Sequence, residues 1–179
     1  MEKIDLSDKQ RKVVQMRVMN DGVQNLRSIV SEQESRNLIG FTGEAMFHSF
    51  CKQATPTPHN KDHDFILQDR RIDIKSRGSD IRPEPDWDCK IPAYSVERQH
   101  CDIYVFAIVR KDGSGGYLLG WLPKEEFLKR AKLVKSDEVL QGYVAGRIHL
   151  VDLYVVQIRD LHDMGGLKGG KTEEGSNNG

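Results

Sequence analysis

The stretch "HDFILQDRRIDIKSRG", His63 to Gly78, constrains the fold more than any other part of the chain. Apolar residues alternate on both sides of the polar pair Gln68-Asp69, the pattern of a β-hairpin. Strand side chains alternate between faces, so a single register settles which face every residue occupies. A turn centred on Gln68 and Asp69 pairs Leu67 with Arg70, Ile66 with Arg71, Phe65 with Ile72 and Asp64 with Asp73. Phe65, Ile72 and Ile74 then face a core. Asp64, Asp73 and Lys75 converge on the other face, with directly opposed Cβ atoms about 4.5–5.5 Å apart. Opposed carboxylates repel unless something neutralises them. A hard cation such as Mg²⁺ does so through one or two carboxylates, keeping waters for a phosphate. A neighbouring lysine can orient or help deprotonate a water, or stabilise phosphorane charge. Gln-Asp is not the favoured Asn-Gly turn, and a one-residue slip would separate the two acids. An exposed hairpin with solvated charges is therefore the second reading of the same spacing.

Around the hairpin, Ser7 followed by "DKQRKVVQMRVMN" predicts a capped helix with Val13, Val14 and Met16 inside. Further helices are expected over Val23 to Arg36 (Leu26, Ile29 and Val30 at helical spacing) and Leu38 to Lys52 (Ile39, Met46, Phe47 and Phe50). Gly43 lies on the apolar side of the last helix, where glycine costs about 1 kcal/mol against alanine. Close packing against a sheet would explain it. Ala54 to Asn60 is a loop with two prolines. Gly78 to Pro92 is expected to be irregular and charged, "AYSVERQH" a short helix, and Asp102 to Arg110 a central apolar strand. Asp112 to Gly116 turns into the strand "YLLGWLP", followed by the short helix "KEEFLKRA" and the strands "GRIHLVD" and "YVVQIRD". Helices, hairpin, helix and strands in this order imply an α/β or α+β domain, with helices packed on a central mixed sheet.

A chain of 179 residues suits one domain, here 1–164, divided into N-terminal helices (1–37) and a core (38–164). The Gly-rich segment 165–179 is expected to be a disordered tail. Hydrophobic residues make up 37% and charged residues 30%, a soluble globular composition with no apolar run of membrane-span length. "MEKIDLSDKQRK" has no secretory h-region. Cys51, Cys89 and Cys101 are odd in number and scattered, which suggests a reducing, cytoplasmic compartment. The net charge of zero speaks against non-specific coating of nucleic acid, while leaving room for a local basic face.

In "HDF" and "IDIKS" the chain resembles the PD-(D/E)xK nuclease superfamily: Asp64 enters one strand and Asp73-Ile74-Lys75 forms the (D/E)-x-K of the next. The superfamily's preceding helix often carries a Gly-Glu pair, matched by Gly43-Glu44 in "GFTGEAMF". A following helix with a glutamine and then an apolar strand match Gln99 in "VERQHCDIYVFAIV". The resemblance spans about Leu38 to Arg110, and loosely "GWLPKEEF". His63 stands where the nominal proline would be. The likeness implies a restriction-endonuclease-like core with an N-terminal helical extension. It also implies a Mg²⁺-dependent deoxyribonuclease, with Mn²⁺ substituting. Asp64, Asp73, the Ile74 carbonyl and Glu44 would hold the ion, Lys75 would handle the nucleophilic water, and Gln99 would orient the lysine or contact the substrate. Glu44 and Gln99 otherwise read as ordinary helix-surface groups.

Arg70, Arg71, Arg77, Arg82 and Arg98, with Lys90, are candidates for a phosphate-contacting rim. Trp87 would stack on a base or pin its loop to the core. DNA is the expected partner, and an endonuclease of phage or restriction type acting in the cytoplasm the expected activity. The rival readings are a junction-specific resolvase, dimerising through the N-terminal helices, a non-cleaving nucleic-acid module, and an interaction protein with an incidental acidic patch. His59 and His63, His48 and Cys51, and the adjacent pair His100-Cys101 lack the ligands or geometry of a zinc or nucleophile site. Gly113 to Gly116 lacks the lysine and helix of a phosphate loop, and reads as a hairpin turn.

Overall fold

The apolar run read as a central strand is β6 (Ile103–Val109), buried at every position. A strand buried on both faces needs a layer on each side. The computed structural model, which describes residues 1–24, 30–58, 60–136 and 151–168, supplies both layers. β6 lies inside a six-stranded sheet with β1 (Glu2–Asp5), β2 (Thr55–Pro56), β3 (Phe65–Leu67), β4 (Arg70–Gly78) and β7 (Gly115–Pro123), in the order β1-β7-β6-β4-β3-β2. Only β4 and β6 run parallel, so the sheet is mixed.

On one face lie α1 (Asp8–Gln24) and α2 (Val30–Phe50). Val14, Met46 and Phe47 pack there on Ile72, Ile74, Ile103 and Val105. On the other face lie α3 (Ala93–Arg98), α4 (Lys124–Arg130) and a small antiparallel sheet of β5 (Asp88–Pro92), β8 (Lys132–Val134) and β9 (Leu153–Gln157). Ile91, Val96, Phe127 and Val156 cover Tyr104, Phe106 and Ile108 on that side. The architecture is thus mixed α+β, with helices and a second sheet flanking a central one.

Ser7 caps α1 as expected. Its hydroxyl accepts from the Gln10 amide at 3.4 Å, and the Gln10 side chain accepts from the Ser7 amide at 3.0 Å. The inner face differs from the expectation. Val14 is buried, but Val13 and Met16 are 59% and 63% exposed. Val14 and Val18, one turn apart, take the core side, while Val13 and Met16, about 100° and about 200° round the helix from Val14, turn away from it.

The two helices expected over 23–36 and 38–52 are replaced by α2, which runs through Arg36, Asn37 and Leu38 because no proline or glycine separates them. Leu26 and Ile29 lie outside the described residues. Position 37 therefore falls inside a helix, and β1 is a strand of the main sheet. The N-terminal segment is built into the fold rather than appended to it. Gly43 has the packing reason anticipated: a Cβ there would lie 1.9 Å from Ser76 Oγ on β4.

Strands β1, β5 and β8 were not read from the sequence, nor was the two-residue edge strand β2, which pairs with β3 inside the stretch expected to be a loop. Each of the first three is three to five residues long and edged by charge, too short to show a clear period. The irregular stretch expected to reach Pro92 ends where β5 begins. Residues 146–150 of "GRIHLVD" lie outside the described residues. Residues 165–168 of the expected tail belong instead to α5 (Met164–Lys168), with Met164 and Leu167 fully buried, and 169–179 lie outside the described residues. Glycines masked the two apolar anchors in the composition. Among the described residues, no helix is long and apolar enough to cross a membrane.

Candidate active site

The hairpin has the expected register, Phe65 opposite Ile72, Ile66 opposite Arg71 and Leu67 opposite Arg70. Gln68 and Asp69 both adopt positive φ, 50° and 61°, as a type I′ turn requires. Ile72 and Ile74 point toward α2, whereas Asp73 and Lys75 pair in register with Tyr104 and Phe106 and take the opposite face.

The rung expected between Asp64 and Asp73 does not form. The ladder ends at Phe65 and Ile72, and the Asp64 amide donates to the Ile72 carbonyl at 2.8 Å. The Asp64 carboxylate instead accepts from the Ile74 amide at 2.7 Å. It thereby occupies the place of a missing backbone partner on β4.

Asp73, Lys75 and Gln99 close a triangle. Lys75 Nζ lies 2.7 Å from Asp73 Oδ2 and donates to Gln99 Oε1 at 2.8 Å. Gln99 Nε2 donates to Asp73 Oδ1 at 3.0 Å. The short helix α3 ends at Gln99, whose backbone leaves the helical conformation there. Its carbonyl accepts from Lys124 Nζ at 2.5 Å. The crossover from β4 to β6 is thus tied to the start of α4, and the glutamine side chain is held over β4.

Glu44 reaches the region from α2. Arg17 Nη1 of α1 is 2.5 Å from its Oε2, and the Arg17 guanidinium lies 3.9 Å from the Phe41 ring centroid.

The electrostatics show that the acids sense one another. Burial, followed by the charges of Asp73 and Glu44, raises Asp64 to about 7, against weaker help from the Ile74 amide and Lys75. Burial also raises Asp73, opposed by Lys75, His63 and Lys124. Coupled carboxyls held up in a dry setting call for positive charge. Asp73 Oδ2 is buried and meets the Lys75 ammonium at 2.7 Å.

The donor set, carboxylate oxygens with the Ile74 carbonyl as that residue's remaining donor, suits a hard divalent cation. In the arrangement seen, Lys75 and Arg17 engage Asp73 and Glu44. Among the described residues, no group of three or more His, Cys, Asp or Glu is gathered to hold a metal ion.

The basic residues do not form one rim. Arg71 forks onto Asp102, with contacts of 2.7 Å and 3.0 Å, and holds that carboxyl below its ordinary range. Arg98 lies 6.0 Å from the Tyr94 ring centroid, Arg82 is exposed, and Arg70 is half-buried beside the turn. Of these candidates, Arg77 and Lys90 join Lys75 in lining a cleft of about 420 Å³ between the two sheets. Trp87 packs on the second core and carries the Arg77 guanidinium 5.3 Å from its ring centroid, so it pins its loop.

Three neighbours were missed in the sequence. Lys124 was visible only as the first residue of a short helix after Pro123. Arg17 is 27 residues from Glu44 and no local pattern links them. His63 precedes Asp64, and its buried Nδ1 has no hydrogen-bond partner.

The other candidates stay apart. His59 lies outside the described residues. His48 stacks 6.0 Å from Phe65, and Cys51 is a buried free thiol raised by burial. His100 faces Asp62 at 3.5 Å, while burial holds Cys101 up at about 11. Gly113 and Gly115, at φ 70° and 138°, shape the hairpin between β6 and β7. Compared with known proteins, this chain matches no family model and no curated protein.

Proposed function

We propose that the chain is a divalent-metal-dependent nuclease of the PD-(D/E)xK type, with a restriction-endonuclease-like core, that hydrolyses DNA internally. The observation that carries this reading is the triangle of buried Asp73 with Lys75 and Gln99, beside a second, half-buried acid, Asp64, whose charge Asp73 opposes. A solvated hairpin does not explain a lysine and a glutamine locked onto a buried aspartate. The order α2, β3-β4 hairpin, α3 crossover and parallel β6 supports the same family.

Asp64, Asp73 and the Ile74 carbonyl would hold Mg²⁺ or Mn²⁺, with Glu44 reaching it after release from Arg17. The ion supplies Lewis acidity toward the phosphoryl oxygen and makes water a nucleophile near neutral pH. Lys75, paired with Asp73, would donate hydrogen bonds to the oxygens on which charge builds as water attacks phosphorus. Gln99 fixes the Lys75 ammonium in direction by accepting one of its protons. The half-buried surroundings of Asp73 and Lys75 strengthen both interactions.

The test is incubation of wild type and Lys75→Ala with supercoiled, linear, single-stranded and branched DNA, in Mg²⁺, Mn²⁺ or EDTA. The wild type is expected to cut at least one substrate, chelator to abolish cutting, and Lys75→Ala to lose it while keeping the native circular dichroism spectrum. Cutting that survives EDTA contradicts the metal reading. A folded wild type that cuts none of the four contradicts nuclease function.

A further inference from the structure

The cleft of about 420 Å³ begins at Lys75 and runs between the main sheet and β5. Its walls are unequal. Phe106 and Leu119 give it an apolar floor from β6 and β7, while Arg77 and Asp88 line it with charge and the Lys90 ammonium is buried in its wall. The Lys90 ammonium lies 3.4 Å from Asp88 Oδ2 and offsets that carboxylate, so Lys75 and Arg77 are the cations that give the cleft its basic side. Its volume falls within the range of roughly 300–1,000 Å³ typical of small-ligand pockets and is far below what a duplex needs. A flat aromatic body with an attached anion matches an apolar floor with a basic side. A single nucleotide is such a body.

Resting on the nuclease reading of the neighbouring triangle, we propose that this cleft receives one unstacked nucleotide next to the scissile phosphate. Its base would lie over Phe106 and Leu119, and its phosphate beneath Arg77. The chain would then act on strands already unpaired at that position, such as a single strand, bulge or flap. Duplex DNA must first give up stacking and pairing to fill the cleft, and an unpaired strand has little to give up. Arg77, steadied on the Trp87 ring, determines this preference by position rather than by chemistry.

The experiment is fluorescence anisotropy of the full chain in EDTA, so that no cutting intervenes. The probes are labelled duplexes, one fully paired, one with a single unpaired adenosine, and one with an abasic site at the same position. The expected result is binding of the unpaired adenosine about tenfold tighter than either control, a stacking-scale difference. Arg77→Ala should lose about tenfold on that probe. Leu119→Trp, which fills the floor, should erase the discrimination between adenosine and abasic site. If Leu119→Trp fails to fold, Arg77→Ala still decides. Equal affinity for the three probes, or no measurable binding of the unpaired one, overturns the inference. Probe discrimination without Mg²⁺-dependent cutting would remove the nuclease reading and keep the pocket. Cutting with equal affinities would do the reverse.

Discussion

Asp64 keeps its proton far longer in the folded chain than in the unfolded one, because burial and the charges of Asp73 and Glu44 raise it from 3.8 to about 7. Between those values the native state binds the extra proton, so stability falls as pH rises through them and the loss is complete above about 7. Three units correspond to an upper limit of roughly 4 kcal/mol. Asp64→Asn keeps an acceptor for the Ile74 amide and removes the charge. It is expected to raise the melting temperature near pH 8 and to be almost neutral near pH 4, and a variant less stable than wild type near pH 8 contradicts this. Arg17 pairs with Glu44 and would compete with a metal proposed to bind there. Arg17→Gln should tighten Mn²⁺ binding about two- to fivefold, the scale of a partly exposed ion pair, in a calorimetric titration. Weaker binding would show that Arg17 positions Glu44 instead. Residues two apart on β4 were legible from strand alternation alone, and so were the facing of Asp73 and Lys75. Gln99 came from the resemblance. Arg17 and Lys124 were not legible, since only tertiary packing brings them to the acids.

Two elements hold these residues in place, and each has a strained or crowded point. Gln68 and Asp69 form the turn with positive φ although neither is glycine. A left-handed non-glycine residue costs on the order of 1–2 kcal/mol. Asp69→Gly is therefore expected to stabilise the protein by about 1 kcal/mol in urea unfolding, and destabilisation would mean that the Asp69 side chain contributes more than its backbone costs. On the helix side, Gly43→Ala would place a methyl 1.9 Å from Ser76 Oγ and 3.1 Å from Ser76 Cβ. A loss of about 1–3 kcal/mol is expected, with part recovered in the double variant Gly43→Ala, Ser76→Ala. Strict additivity would deny the contact. The hairpin and the apolar helix were readable because their periods are long and clean. The continuity of α2 was missed because polar Arg36 and Asn37 look like a break, yet neither stops a helix. Met16 was placed inside by its apolarity although its angular position turns it outward.

At the scale of the whole molecule, the candidate site lies where separate layers meet. α2 brings Glu44, the hairpin brings Asp64, Asp73 and Lys75, the end of α3 brings Gln99, and α4 brings Lys124. The β4-β6 parallel pair requires the crossover that carries Gln99 back over Asp73, so topology builds the triangle. Of the second sheet only β9 was legible, as the strand expected in "YVVQIRD"; β5 and β8 were too short to read, yet the sheet encloses the cleft beside Lys75. The proposed chemistry requires these acids to hold a divalent cation, and Mn²⁺ titration of the full chain, followed by electron paramagnetic resonance, tests that most directly. Wild type is expected to bind Mn²⁺ at a site that Mg²⁺ displaces, with Asp73→Asn weakening it by at least about tenfold while folding normally. No Mn²⁺ binding, or equal binding by Asp73→Asn, would contradict it.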